Sequence, residues 1–151
     1  MASESVIFRV DTGQMLKSNS LSIPRHPPLN KQIVLKLQWA KHPDHWYELA
    51  SLNFESSYFD NLSGVYIIWH GGANPAVVRV GQGVIGDRLS NHNQDPEILA
   101  YKGLGLFATW AAVPAIHLDG VERHLGDKWN PKVGDRFPNV YPVEVNSPWQ
   151  S

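Results

Sequence analysis

The clearest pattern in the sequence is a pair of apolar, β-prone runs in the middle of the chain. Residues 64–69 (GVYIIW) and 76–80 (AVVRV) are rich in strand-forming residues, and the intervening segment HGGANP contains glycine, asparagine and proline. Two such runs joined by turn-forming residues predict a β-hairpin with a long turn. The first run is apolar on both faces, which indicates an interior strand covered on each side.

A helix and a third strand are predicted after the hairpin. Within residues 84–92, Ile85 and Leu89 lie four positions apart, which is the spacing of one buried helical stripe. The run at residues 104–113 then predicts another strand. The chain therefore alternates between strand and helix in its second half.

A second helix is predicted from residue 119 onward. Asp119 can cap a helix whose interior is residues 121–125 (VERHL), because a side-chain oxygen satisfies free N–H groups of the first turn. Gly126 and then Pro131 are expected to set its end. The tail beyond it contains three prolines and is expected to be mostly extended.

The first third of the chain has weaker signals. Residues 1–31 contain one short apolar run, residues 6–8 (VIF), which predicts an arm or an edge strand followed by an irregular connection. Residues 33–39 (IVLKLQW) are predicted to form a strand, and residues 43–52 a short helix. The irregular connection is inferred from three prolines, Pro24, Pro27 and Pro28.

This order of elements predicts an α+β fold. We expect a small central antiparallel sheet of about three core strands plus N-terminal additions, flanked by helices. Residues 1–60 would form an N-terminal extension (arm, strand and short helix) that packs on the core. Residues 61–151 would form the core domain with its extended tail. A length of 151 residues is typical of one domain with one sizeable core.

Composition and charge exclude several classes of protein. With 13 Lys and Arg against 14 Asp and Glu, the net charge is −1, so any nucleic-acid contact must be local. The chain has no cysteine, which excludes disulfides, thiolate zinc sites and a cysteine nucleophile. No segment has the pattern of a signal peptide or the length of a membrane span. We expect a cytoplasmic protein without a membrane partner.

One pair of side chains suggests a phosphate site. Arg88 and His92 lie four positions apart, so on a helix they project from the same face. Arginine suits a phosphate whose negative charge grows during a reaction, and histidine exchanges a proton near neutral pH. The segment Gly81-Gln82-Gly83 just upstream allows backbone to approach a ligand closely. The alternative is a solvated arginine and a surface histidine.

Three further features have both a structural and a functional interpretation. Tyr66 shares a strand face with Ile68 and His70, and a core tyrosine with a satisfied hydroxyl is its simplest interpretation. The segment 42–45 (HPDH) could bind zinc, although a surface turn is favoured because proline breaks regular geometry. Most Trp residues suit core and rim packing, whereas two of them could stack on bases, Trp129 and Trp149.

Taken in order, these motifs resemble those of the GIY-YIG endonuclease family. The resemblance covers about residues 60–135 and depends on an ordered set of matches. They are Gly64-Val65-Tyr66 as the first tripeptide, Arg79-Val80-Gly81 as the second, a helix with Arg88 and His92, and Glu122 with Pro131 nine residues on.

The resemblance implies a metal-dependent endonuclease that hydrolyses phosphodiester bonds, with DNA as the expected partner. Tyr66 would orient or deprotonate the attacking water, Arg88 would clamp the phosphate, and His92 would transfer a proton. Glu122 would hold a single Mg²⁺ or Mn²⁺ ion, which keeps several waters and binds substrate oxygens. The alternative for Glu122 is an acidic residue favoured by the dipole at a helix N-terminus.

The chain also departs from the family pattern. Arg79 stands where the second tripeptide usually has tyrosine, Gln82 where lysine often follows, and Gly134 where asparagine is common. We expect substrate contacts from Arg79, Gly81, Gln82 and the nearby Asn130. The departures leave two alternatives open: a catalytically inactive module that binds nucleic acid or protein, and a protein whose site-like residues are purely structural.

Overall fold

The computed structural model describes residues 5–10, 31–134 and 136–149, with side chains from residue 34 onward. Its strands are β1 (Ser5–Val10), β2 (Lys31–Lys36), β3 (Tyr47–Glu48), β4 (Ser63–His70), β5 (Ala76–Val84), β6 (Leu106–Ala112) and β7 (Glu144–Val145). Its α-helices are α1 (Ile85–His92), α2 (Pro96–Leu99) and α3 (Leu118–Trp129). No helix in these ranges is long and apolar enough to cross a membrane. The connection predicted around the three N-terminal prolines lies outside the described residues.

The centre of the molecule is a four-stranded antiparallel sheet in the order β3-β6-β4-β5. Strand β4 is interior, and every residue from 64 to 70 is buried, as its apolar character on both faces predicted. The hairpin, the helix α1 and the third strand β6 are confirmed, although β5 continues to Val84 rather than ending at Val80. The fold mixes helices with this antiparallel sheet and is compatible with the α+β class.

Strands β1 and β2 belong to a second sheet. They pair in antiparallel register from Ser5 opposite Lys36 to Val10 opposite Lys31, and β2 then pairs in parallel with β7 in the tail. The apolar run at residues 6–8 is therefore in an edge strand, as predicted. Within the described part of the first 60 residues, only the short strand β3 joins the central sheet.

The prediction of a short helix at residues 43–52 is wrong. The segment instead contains strand β3 and a 3-10 turn at Leu49–Ser51. Tyr47 pairs with Ala108 of β6, and its ring stacks on Trp110 with centroids 5.4 Å apart. Pairing with a distant strand therefore overrides local helix propensity here.

The strand predicted at residues 33–39 begins and ends earlier than expected. Strand β2 stops at Lys36, because the next residue turns to another partner. The Leu37 N–H donates to Asn146 Oδ1 at 2.5 Å, and the Leu37 carbonyl accepts from Asn146 Nδ2 at 2.9 Å. A side-chain amide thus replaces the strand ladder at Leu37.

The central sheet has a core on each face. Val65, Ile67 and Trp69 of β4 pack on one side with residues of α3, including Leu125. Tyr66 and Ile68 pack on the other side with Ile85 and Leu89 of α1. The alternation predicted for β4 is confirmed, and it places the Tyr66 ring on the α1 side.

Helix α3 differs from its prediction at both ends. It begins at Leu118 with His117 at the N-cap, so Asp119 lies in the first turn and does not cap the helix. Gly126 does not end the helix, which continues to Trp129 and stops where Asn130 adopts a left-handed conformation (φ 44°). Gly126 is required for packing instead, since a Cβ there would lie 2.8 Å from the ring of Phe137.

Strand β5 is at the edge of the central sheet and is covered by the loop after α3. A β-bulge in β5 makes Val78 an extra residue, because Ile68 pairs with Arg79 whereas Trp69 pairs with Val77. The backbone N–H groups of residues 132 and 133 donate to the Val77 and Val78 carbonyls at 3.1 and 2.8 Å. The loop therefore closes part of an edge that would otherwise be unpaired.

Candidate active site

The predicted site residues lie around the glycine-containing end of β5. Gly81 pairs with Tyr66 of β4, and a Cβ on Gly81 would lie only 2.5 Å from Tyr66 Cζ. Gly83, at φ +132°, has Arg88 beside it, with a Cβ position 2.8 Å from the Arg88 Nε. The space beside each glycine is thus occupied by a side chain, Tyr66 or Arg88. Contact of this backbone with a ligand stays a prediction.

Tyr66 and His92 form the centre of this arrangement. The Tyr66 hydroxyl and His92 Nε2 are 2.6 Å apart and share a hydrogen bond, and Tyr66 is only 2% exposed. Burial raises the pKa of the Tyr66 phenol, while nearby positive charge partly offsets the rise. Burial lowers the pKa of His92 to about 4. Both groups are therefore neutral at pH 7.

Two arginines act on this pair from different elements. After burial, the Arg79 charge is the next largest cause of the low pKa of His92, and Arg88 lowers that pKa further. Both arginines also favour the ionised forms of Tyr66 and Glu122. Arg88 is exposed, whereas Arg79 is half-buried, and among the described residues its Nε has no hydrogen-bond partner.

Glu122 reaches the same edge of β5 from helix α3. Gln82 Nε2 donates to Glu122 Oε1 at 2.8 Å and to Asp119 Oδ1 at 2.6 Å. Burial raises the pKa of Glu122, and the neighbouring Asp119 carboxylate raises it further. Asp119 was not predicted as a site residue, although its position three residues before Glu122 on a helix places both on one face.

The carboxylates fit the predicted divalent cation in their chemistry. Mg²⁺ and Mn²⁺ prefer oxygen ligands, and Glu122 and Asp119 present two carboxylates bridged by one neutral amide, that of Gln82. The described residues contain no group of three or more His, Asp or Glu side chains arranged to hold a metal ion. A cation here would therefore keep several waters or substrate oxygens in its shell.

The other predicted ligands are placed differently. Asn130 is exposed at the end of α3 and lines a groove together with Arg79. His42 and His45 stack on each other at 4.2 Å in an exposed segment, where the surface turn was favoured. Trp129 packs edge-on against Trp149 at 5.0 Å, so the two rings contact each other.

Tyr66 packs on the α1 side of the central sheet, whereas Glu122 belongs to α3 on the other side and bonds to Gln82 of the edge strand β5. Across this edge, five side chains interact electrostatically or by a hydrogen bond: Tyr66, Arg79, Arg88, His92 and Glu122. They combine a hydrogen-bonded phenol and imidazole, two cations and a carboxylate. No protein-family model matches this chain, and neither a curated protein nor a solved structure shows significant similarity to it.

Proposed function

We propose that this chain is a GIY-YIG-like endonuclease that hydrolyses phosphodiester bonds of nucleic acid, with DNA as the expected substrate and one Mg²⁺ or Mn²⁺ ion as cofactor. The observation that supports the proposal is the 2.6 Å hydrogen bond between the Tyr66 hydroxyl and His92, beside which Arg79 and Arg88 favour the ionised phenol. A general base, phosphate-binding cations and a metal-ligating carboxylate are the groups that this hydrolysis requires.

Tyr66 and His92 supply the proton transfer. In the His92 tautomer protonated on Nδ1, the Tyr66 hydroxyl donates to Nε2 and its oxygen lone pairs can accept from water. As the water oxygen attacks phosphorus, its proton passes to the Tyr66 oxygen while the phenol proton passes to His92. The bond from phosphorus to the leaving sugar oxygen breaks, and that oxygen takes up a proton from solvent.

The cations and the carboxylate act on the phosphate. Arg79 and Arg88 neutralise the negative charge that grows on its oxygens in the transition state. Glu122, with Asp119 beside it, would hold the divalent ion. That ion supplies Lewis-acid stabilisation of the phosphoryl group and the departing oxygen when bound.

Cleavage assays with one charge-neutralising substitution test the proposal. Purified protein is incubated with supercoiled plasmid and with RNA, in Mg²⁺, in Mn²⁺ and in EDTA. We expect divalent-dependent cleavage that Glu122→Gln lowers by about 100-fold or more, because a lost metal ligand removes several kcal/mol of transition-state stabilisation. Glu55→Gln is the matched control, since Glu55 is exposed and is not one of the candidate site residues.

The substitution also allows metal binding to be measured separately. Glu122→Gln keeps an acceptor oxygen for Gln82 while removing the charge, so the fold should be retained. Mn²⁺ binding followed by electron paramagnetic resonance should weaken in this variant and remain unchanged in Glu55→Gln. If both nucleic acids stay intact with either metal, and Glu122→Gln behaves as the wild type does, the nuclease proposal is wrong.

A binding module without catalysis is the second candidate. The Gln82 amide already bonds both carboxylates, and an arginine stands at position 79 rather than a hydroxyl group. A protein of this kind would bind nucleic acid in a salt-sensitive way and leave it uncut. Equal binding with and without divalent ions would favour it over the nuclease.

A further inference from the structure

A polar groove runs along the loop that follows α3. Its volume is about 1190 Å³, and acidic side chains of α2 and α3 line part of it. The other lining residues include Arg79, Asn130, Lys132, Gly134 and Arg136. Because Arg79 lines the groove and also acts on Tyr66 and His92, the groove adjoins the candidate site.

The loop that forms this groove is held in a defined position. The Lys132 and Val133 N–H groups donate to carbonyls of β5 at 3.1 and 2.8 Å, and the Asn130 N–H donates to the Gly126 carbonyl at 3.0 Å. The Val133 side chain is buried in the core and is 7% exposed. The backbone at Lys132 is therefore held against β5, the strand that carries Arg79.

Gly134 provides the space for the Arg79 side chain. A Cβ at Gly134 would lie 2.9 Å from the Arg79 Cζ and closer still to one terminal nitrogen. Gly134 also has φ +86°, a conformation that favours glycine. The guanidinium group is thus packed against bare backbone, with a hydrogen bond to Tyr66, and among the described residues it is not paired with a carboxylate.

The charges in the groove are unequally matched. Arg123 pairs with Asp127 at 3.1 Å, and Asp95 accepts a hydrogen bond from the backbone N–H of residue 97 at 2.9 Å. Among the described residues, the remaining cations of the groove make no ion pair: these are Arg79, Lys132 and Arg136. Asp95 and Glu97 also line the groove without an ion pair among the described residues, so its four cations exceed its three carboxylates by one. The three unpaired cations are the groups that phosphates would contact.

We infer that this groove binds the sugar–phosphate backbone of one nucleic-acid strand and positions that strand for cleavage at the candidate site. This inference rests on the proposed function, because it takes the candidate site as the place where the strand is cut. Arg79 contacts the scissile phosphate, and Lys132 and Arg136 contact phosphates further along the strand. The contacts are to the backbone, so they position the strand without reading its sequence.

Salt-dependent binding tests the groove separately from catalysis. Fluorescence anisotropy in EDTA follows binding of the full chain to a labelled single-stranded DNA of about 20 nucleotides at several salt concentrations. Each lost phosphate contact should lower the slope of log K against log salt by about 0.7 for a single strand. We expect this change for Lys132→Ala and for Arg136→Ala, both exposed positions.

Lys102→Ala is the matched control, because Lys102 is exposed and does not line the groove. Its salt slope should equal that of the wild type. Gly134→Ala and Arg79→Ala test the packing of the arginine. Each should lower the slope by about 0.7, and the double variant should lose no more than either single one, since both remove the same contact.

The outcomes separate this inference from the nuclease proposal. If Lys132→Ala and Arg136→Ala keep the wild-type slope while Glu122→Gln abolishes cleavage, the inference about the groove is wrong and the nuclease proposal is supported. If both variants lower the slope and no divalent ion supports cleavage, the inference about the groove is supported and the nuclease proposal is wrong. Failure of the wild-type chain to bind the oligonucleotide overturns the groove.

Discussion

Gly81→Ala is the substitution that most directly tests the geometry of the site. The new methyl group would lie 2.5 Å from Tyr66 Cζ, whereas ordinary contact begins at 3.4 Å. The end of the Tyr66 ring must therefore move by at least about 0.9 Å, the difference between these two distances, and the hydroxyl, which is nearer still to the new methyl group, must move further. Strand β5 has little freedom to move instead, because it pairs with β4 along its whole length.

A shift of this size has a measurable cost in two respects. The Tyr66 hydroxyl moves relative to His92, to which it is bonded at 2.6 Å, and a misplacement of about 1 Å in a catalytic group costs roughly 100-fold in rate. Overpacking a buried position costs about 1–3 kcal/mol of stability. For a chain of this size the Tm should fall by roughly 2–4 °C for each kcal/mol.

The assay combines plasmid cleavage, thermal unfolding and an NMR titration of His92. Its pKa should rise from about 4 toward the usual value for histidine, because a displaced tyrosine ring admits water. Gly103→Ala is the control, since its methyl group would have no heavy atom within 4 Å. Wild-type cleavage and an unchanged His92 pKa in Gly81→Ala would refute this description of the site.

Two further predictions concern stability. Folded His92 has a pKa of about 4 against an ordinary 6.5, so the unfolded state binds more protons between these two pH values. The free energy of unfolding should therefore fall as the pH falls from 6.5 to 4. In urea unfolding, His92→Asn should show a smaller pH dependence than the wild type, and an identical dependence would contradict the low pKa. Asn146→Ala should lower the free energy of unfolding by about 2–3 kcal/mol in the same assay, because it leaves both backbone groups of Leu37 without their partner. Asn139→Ala is the control, since Asn139 is exposed. If Asn146→Ala is no more destabilising than this control, water replaces the amide.

Much of the central sheet could be predicted from the sequence, because its signals are local. The two apolar runs and the turn formers between them specify the β4–β5 hairpin, and the spacing of Ile85 and Leu89 specifies the buried face of α1. Alternation along β4 also predicted which face carries Tyr66. The order of polar residues placed Arg88 and His92 on one helix, and both act on that tyrosine.

Other features depend on partners far away in the chain, and local propensity contains no information about them. Residues 43–52 lack the predicted helix because β3 pairs with β6, and β2 ends where it does because Leu37 meets Asn146, 109 positions later. The hydrogen bond from Gln82 to Asp119, which are 37 positions apart, also exists only in the folded chain. The sequence by itself therefore determined the β4–β5 hairpin, the helix α1 and the residue types of the candidate site. Only tertiary packing decided which of them meet, since each contact joins backbone or side chains that folding alone brings within bonding distance.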